Sequence, residues 1–152
     1  MTRKPAKKKL LWLVDDTAEH HDTARATINA LPGWELVGYL DAAEAIRDFA
    51  AIVKAGGETP TKSAAKRSTH AQTLPEVVLM DFFLGDTHGN VVTTELRALQ
   101  PVGAPLTIIG YSSVASASAA IVAAGGDVVV RKHRDERGMN PSLERFLETY
   151  PH

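Results

Sequence analysis

The sequence predicts an α/β fold, a parallel sheet covered by helices on both faces. Three observations carry that reading. Strand-like apolar runs alternate five times with helix-like patterns along the chain. Two of those runs, Leu10–Val14 and Val77–Met80, are continuously apolar rather than alternating, as strands buried on both faces must be. Both run directly into carboxylates, Asp15-Asp16 and Asp81.

Each element has a local reason. Leu10-Leu11-Trp12-Leu13-Val14 is the first strand. From Thr17 to about Leu31 the spacing of Ala24, Ile28 and Leu31 is helical, and Pro32-Gly33 stops it. Glu35 to Tyr39 reads as a second short strand. Asp41 with Glu44 three residues on is a capping box, opening a helix through Ala45, Ile46, Phe49 and Val53 that Gly56-Gly57 closes. Residues 55–74 are polar and too many for an ordinary helix-to-strand connection, which marks an insertion loop. Glu76 to Asp81 is the third strand, and a helix from about Asn90 to Gln100 stops at Pro101. Leu106 to Gly110 is the fourth strand. Val114 to Ala124 is a small-residue helix ended by Gly125-Gly126, and Val128–Val130 is the fifth strand. Asn140 as cap and Pro141 at the first helical position start a last helix through Leu143, Phe146 and Leu147. Right-handed crossovers leave few topologies for this series. The expectation is a flavodoxin-like (βα)5 three-layer sandwich with parallel strand order 2-1-3-4-5.

At 152 residues the chain is one domain by length, with 44% apolar and 23% charged residues. No apolar run approaches the roughly 18 residues of a membrane span, and no secretory signal pattern follows the basic start. Cysteine is absent, which excludes disulfides and thiolate metal sites and fits a cytoplasmic protein. The net charge of −1 is uneven: Arg3, Lys4, Lys7, Lys8 and Lys9 crowd the first nine residues, leaving the body acidic. No aromatic residue interleaves those lysines. Residues 1–9 therefore read as a disordered solubilising leader rather than a nucleic-acid arm, and residues 10–150 as the folded domain.

In an open parallel sheet, chemistry gathers at the carboxyl ends of the strands. The residues that fall there are Asp15 and Asp16, Asp81, Ser112 and Lys132. The order 2-1-3-4-5 makes the first and third strands neighbours, so three carboxylates converge. Like charges so close demand a cation, and oxygen-only ligands with room for water suit Mg²⁺. A lysine and a hydroxyl complete the parts that phosphoryl transfer requires, with a carboxylate able to act as nucleophile.

These motifs together resemble a family. Val14-Asp15-Asp16, then Leu79-Met80-Asp81 with Gly89 eight residues on, then Ile109 to Ser113, then Gly126 to Lys132, look like the successive motifs of a response-regulator receiver domain of two-component systems, of the single-domain CheY-like kind. The resemblance implies Asp81 as phospho-acceptor, Asp16 as direct Mg²⁺ ligand, Asp15 acting largely through water and the main-chain carbonyl of Phe83 as a further ligand. Ser112 matches the switch hydroxyl and Lys132 the phosphate-pairing lysine. The implied partners are a sensor histidine kinase or phosphotransfer protein and a downstream protein effector. The face of the fourth helix, fifth strand and last helix is the expected docking or homodimer surface. No enzyme activity beyond the domain's own phosphorylation and dephosphorylation is implied.

Four positions depart from the family pattern. Gly85 stands four residues after the acceptor where proline is usual, which predicts a freer loop. His133 follows Lys132 where a cis-proline is normal; a cis bond there would cost about 2.5–4 kcal/mol, so a trans bond is expected. Val129 replaces an aromatic residue that swings inward in relatives. Phe83 is bulky and apolar, as a shield for an acyl phosphate would be.

Other signals carry less. The Gly56–Ser63 stretch GGETPTKS is a near miss to a P-loop, follows a helix instead of a strand, and has Thr61 where the second glycine belongs. His20 and His21 are adjacent on a helix, so they read as polar-face residues flanking the acidic site rather than a metal pair. His88 reads as a solvated loop histidine, and Asp86, past Gly85, is not counted as a ligand. Two rival functions remain: a pseudo-receiver scaffold that never takes phosphate, and a haloacid-dehalogenase-like phosphatase. The latter wants an acid two residues after the first, where Phe83 stands.

Overall fold

The computed structural model describes residues 8–56 and 73–151. Most of the basic leader, the near P-loop stretch and the 55–74 insertion lie outside the described residues. Lys9 does not belong to the leader: it opens the first strand and pairs with Trp34.

The elements are β1 (Lys9–Val14), α1 (Ala18–Asn29), β2 (Trp34–Tyr39), α2 (Ala42–Lys54), β3 (Val77–Met80), β4 (Phe83–Leu84), β5 (Thr87–His88), α3 (Gly89–Leu99), β6 (Thr107–Ser112), α4 (Ala115–Ala123), β7 (Val128–Arg131) and α5 (Pro141–Glu148). Five parallel strands form one sheet in the order β2-β1-β3-β6-β7. This is the expected 2-1-3-4-5 order once the small β4–β5 hairpin is set aside. Central position explains the continuous apolar runs: Leu11 to Val14 and Val77 to Met80 have no exposed surface.

Strand alternation sorts the core into two layers. Trp12, Val14, Val78, Met80 and Ile108 face α2, α3 and α4 through Phe49, Leu96 and Ile121. Leu11, Leu13, Leu79, Ile109 and Tyr111 face α1 and α5 through Ile28, Leu143 and Leu147. The result is a three-layer sandwich. Caps follow the sequence at two helices: Asp41 accepts from the Ala43 N–H at 2.9 Å, and Asn140 accepts from Ser142 and Leu143 at 3.0 and 3.2 Å.

One element departs from expectation. The chain after Asp81 is not an open loop but the antiparallel hairpin β4–β5, with Phe83 opposite His88 and Leu84 opposite Thr87. Gly85 at φ +77° takes the first position of its two-residue turn, a conformation proline cannot adopt. The Gly89 N–H donates to the Phe82 carbonyl at 2.7 Å and closes its base.

Candidate functional site

The carboxyl ends of β1 and β3 bring Asp15, Asp16 and Asp81 together, each offering a carboxylate oxygen within 4.8 Å of the others. Lys132, one residue past β7, reaches across the sheet to bind two of them. Its Nζ donates to Asp15 Oδ2 at 2.7 Å and to Asp81 Oδ1 at 2.9 Å. The same ammonium lies 5.5 Å from the centroid of the Tyr111 ring, within cation–π range. Tyr111 is buried, accepts from Asn140 Nδ2 at 3.0 Å, and has its phenol pushed up to about 12 by burial. Asn140 also donates to the Arg131 carbonyl, so one side chain ties the end of β6 to the end of β7 and the start of α5.

The acids differ in environment. Asp15 has no exposed surface, and its Oδ1 accepts from the Thr17 N–H at 2.9 Å. Asp81 is buried but for 6% of its surface. Burial raises its carboxyl above the ordinary range; the Lys132 bond pulls it back down, and the nearby Asp15 charge raises it further. Asp16 is exposed, with only a long contact from the Thr17 hydroxyl at 3.5 Å. Three carboxylates against one lysine leave two negative charges uncompensated, and the donors are all oxygen. That set fits a divalent cation of the Mg²⁺ type, with Asp16 and Asp81 as the acids nearest the opening.

Glycine 89 is fixed by this geometry. A Cβ there would run into the main-chain oxygen of Asp81, so the start of α3 lies against the acid-bearing backbone only without a side chain. Ser112 is buried at the last position of β6, and its Oγ accepts from the Val114 N–H at 3.0 Å. Phe83 opens the hairpin two residues past Asp81. Its ring is 57% exposed and packs edge-on against Phe82 and His88, so it belongs to the hairpin's surface cluster rather than to a lid on the acids. His88 is not merely solvated: its ring stacks on Phe82 at 4.8 Å.

Both histidines flank the acidic site as expected, but the polar-face reading of one needs correction. His21 is buried, not on a polar face, and its Nε2 donates to the Asp15 main-chain oxygen at 2.7 Å. Gly38 on β2 leaves room for that ring, since a Cβ there would collide with it. His20 turns its Nδ1 onto the Asp15 carboxylate, 3.0 and 2.9 Å from the two oxygens. Neither histidine is a metal partner of the other; both hold Asp15. The available signal was their position in the first turn of the helix after Asp15.

The Lys132–His133 bond is trans, as expected, and His133 Nε2 lies 3.0 Å from Ser142 Oγ, anchoring the loop after β7 to α5. Val129 is 47% exposed on the edge strand β7.

No protein-family model matches the sequence, and no curated protein matches it. Solved structures do. A mutant receiver domain of the histidine kinase CKI1 from Arabidopsis thaliana is similar at a TM-score of 0.68 and 16% identity, covering 93% of this chain and 87% of that one. A CheY-like response regulator receiver domain protein from Methanospirillum hungatei JF-1 is similar at 0.61 and 20% identity, covering 93% of both chains. The response regulator domain of Thermotoga maritima CheB is similar at 0.65 and 17%, covering 93% and 92%. The fold is that of a response-regulator receiver domain. Within the receiver fold, the acid cluster and Lys132 sit at the carboxyl edge, where the switch in strand order opens a crevice. No described helix is long and apolar enough to cross a membrane.

Proposed function

We propose that this chain is a phospho-acceptor signalling switch whose receiver unit spans residues 9–150. The observation that carries the reading is Lys132 bridging Asp15 and Asp81 beside Asp16, at the ends of neighbouring strands. Asp81 is the nucleophile. One of its carboxylate oxygens attacks the phosphorus of a phosphohistidine on a sensor kinase or phosphotransfer protein. A P–O bond forms, the P–N bond breaks, and the imidazole leaves with the electron pair and takes up a proton. Mg²⁺, held by Asp16, Asp81, the Phe83 carbonyl and, through water, Asp15, would supply charge neutralisation on the phosphoryl oxygens. Lys132 pairs with one of those oxygens, and Ser112 offers its hydroxyl to another.

The new group adds about two negative charges to a site built around one lysine. That change draws Ser112 away from the Val114 N–H and shifts α4 and β7, altering contacts with a downstream protein or a second copy of the chain. The protein acts on no substrate but itself, works in the cytoplasm and binds neither membrane nor nucleic acid.

Incubation with acetyl phosphate and Mg²⁺ followed by intact-mass measurement tests the reading. A gain of one phosphate that disappears in Asp81→Asn supports it. No adduct in the natural chain points to a scaffold that never takes phosphate, and repeated turnover of a phosphate ester points to a phosphatase.

A further inference from the structure

Tyr111 is the one aromatic side chain that the central strands β1, β3 and β6 turn toward the layer of α1 and α5. Its neighbours on that face, Leu11, Leu13, Leu79 and Ile109, are all aliphatic. The aromatic residue stands near the carboxyl end of β6, and Lys132 Nζ lies over its ring, 5.5 Å from the centroid. The ring is pinned. Its phenol oxygen accepts from Asn140 Nδ2 at 3.0 Å, and Asn140 has no exposed surface. The second Nδ2 hydrogen of Asn140 goes to the Arg131 carbonyl, and its Oδ1 caps α5 through Ser142 and Leu143. With both ends of that amide committed, the phenol is held in one place. Burial alone would be served by another leucine; an aromatic face beneath an ammonium offers more.

We propose that Tyr111 is a positioning residue for phosphoryl transfer, its pinned ring the platform over which Lys132 moves from Asp15 toward the phosphoryl group on Asp81. The inference rests on the phospho-acceptor reading. Lysine carries a compact, strongly hydrated charge on a flexible four-carbon stem, so its aim has to come from its surroundings. Two acids compete for Lys132, Asp15 at 2.7 Å and Asp81 at 2.9 Å. A cleft of about 260 Å³, which Lys132 lines together with Tyr111, Thr17 and Ser113, gives its ammonium a path into water. The negative face of the ring opposes that escape. A cation within about 6 Å of a ring centroid is drawn to the ring, most strongly where water is scarce, and the Lys132 side chain is only 10% exposed. That attraction acts across the whole face, so the ammonium can pass from one acid to the other without giving it up. Tyr111 thus acts through Lys132, which keeps within reach of the phosphoryl oxygens as they arrive.

The test uses the full chain with acetyl phosphate and saturating Mg²⁺, following the rate of phosphate gain by intact mass. Tyr111→Leu should slow that rate about tenfold, and Tyr111→Phe, which keeps the ring, by no more than about threefold. Phenylalanines bearing one, two and three ring fluorines, installed at the same position, keep the shape of the Tyr111→Phe side chain while draining its negative face. The rate should fall stepwise along that series toward the value of Tyr111→Leu. Proton NMR supplies a second reading: the Lys132 ε-methylene signals should be shifted upfield by the ring, and stay so when beryllium fluoride binds as a phosphoryl mimic. A rate indifferent to fluorination, a leucine variant as fast as the natural chain, or ε-methylene signals that return to their ordinary position with the mimic would overturn the role of Tyr111 and leave the acceptor reading standing. A natural chain that gains no phosphate ends the acceptor reading, and this role with it.

Discussion

The carboxyl edge of the sheet has two unlike regions. At the heads of β1 and β3, buried acids are tied to Lys132, His20, His21 and main-chain groups. At the edge strand β7 and along α4, small and apolar side chains stand half in solvent, with Val114 at 46% and Val129 at 47% exposure. The first region is held by charge and tolerates little change. The second presents exposed apolar side chains on its outer face. A tightly bonded acid cluster thus sits beside a half-exposed apolar surface at the same edge of the sheet.

Removing the shared cation should break that contrast most severely. Lys132→Ala leaves two buried carboxylates without their counter-ion and should cost about 3 kcal/mol of stability in urea unfolding at neutral pH, with Mg²⁺ restoring part of it. An undiminished unfolding midpoint would mean that His20 and Thr17 already suffice. Next comes backbone fit: Gly89→Ala forces a Cβ into the Asp81 carbonyl and should cost about 2 kcal/mol while disturbing the end of β3.

A smaller effect of opposite sign should follow Asp81→Asn. The native carboxyl titrates above its ordinary range, so the folded state holds that proton more tightly than the unfolded chain does. Asp81 therefore costs stability as pH rises through the native pKa, and the cost persists above it. Asparagine should raise the urea midpoint at pH 7, with the gain fading once pH falls below the ordinary carboxylate range. A gain that is independent of pH would assign it to packing instead. The smallest change belongs to the other region: Val129→Tyr on the exposed edge should alter stability by less than about 0.5 kcal/mol, checked in the same assay.

Most of the frame was legible because strand burial and helix stops are local signals. The continuous runs before Asp15 and Asp81, Pro32-Gly33, Asn140-Pro141 and the glycines after α4 mark their own elements. The hairpin after Asp81 was not legible, because a glycine reads as freedom until a neighbouring strand fixes its turn. Nor was the burial of His21. Adjacent histidines on a helix look polar, and only Gly38 on the neighbouring strand opens the space that receives the ring.

The sequence by itself determined the order of elements and which residue types end each parallel strand, since both follow from short-range pattern and strand direction. Only the tertiary structure decided how the charges are shared. Asp15 and Asp16 are adjacent in the chain, yet one is sealed by Lys132 and two histidines and the other faces solvent. Neighbouring residues on a strand end point to opposite sides, and their partners come from β7 and α1, elements that meet them only through the packing of the sheet.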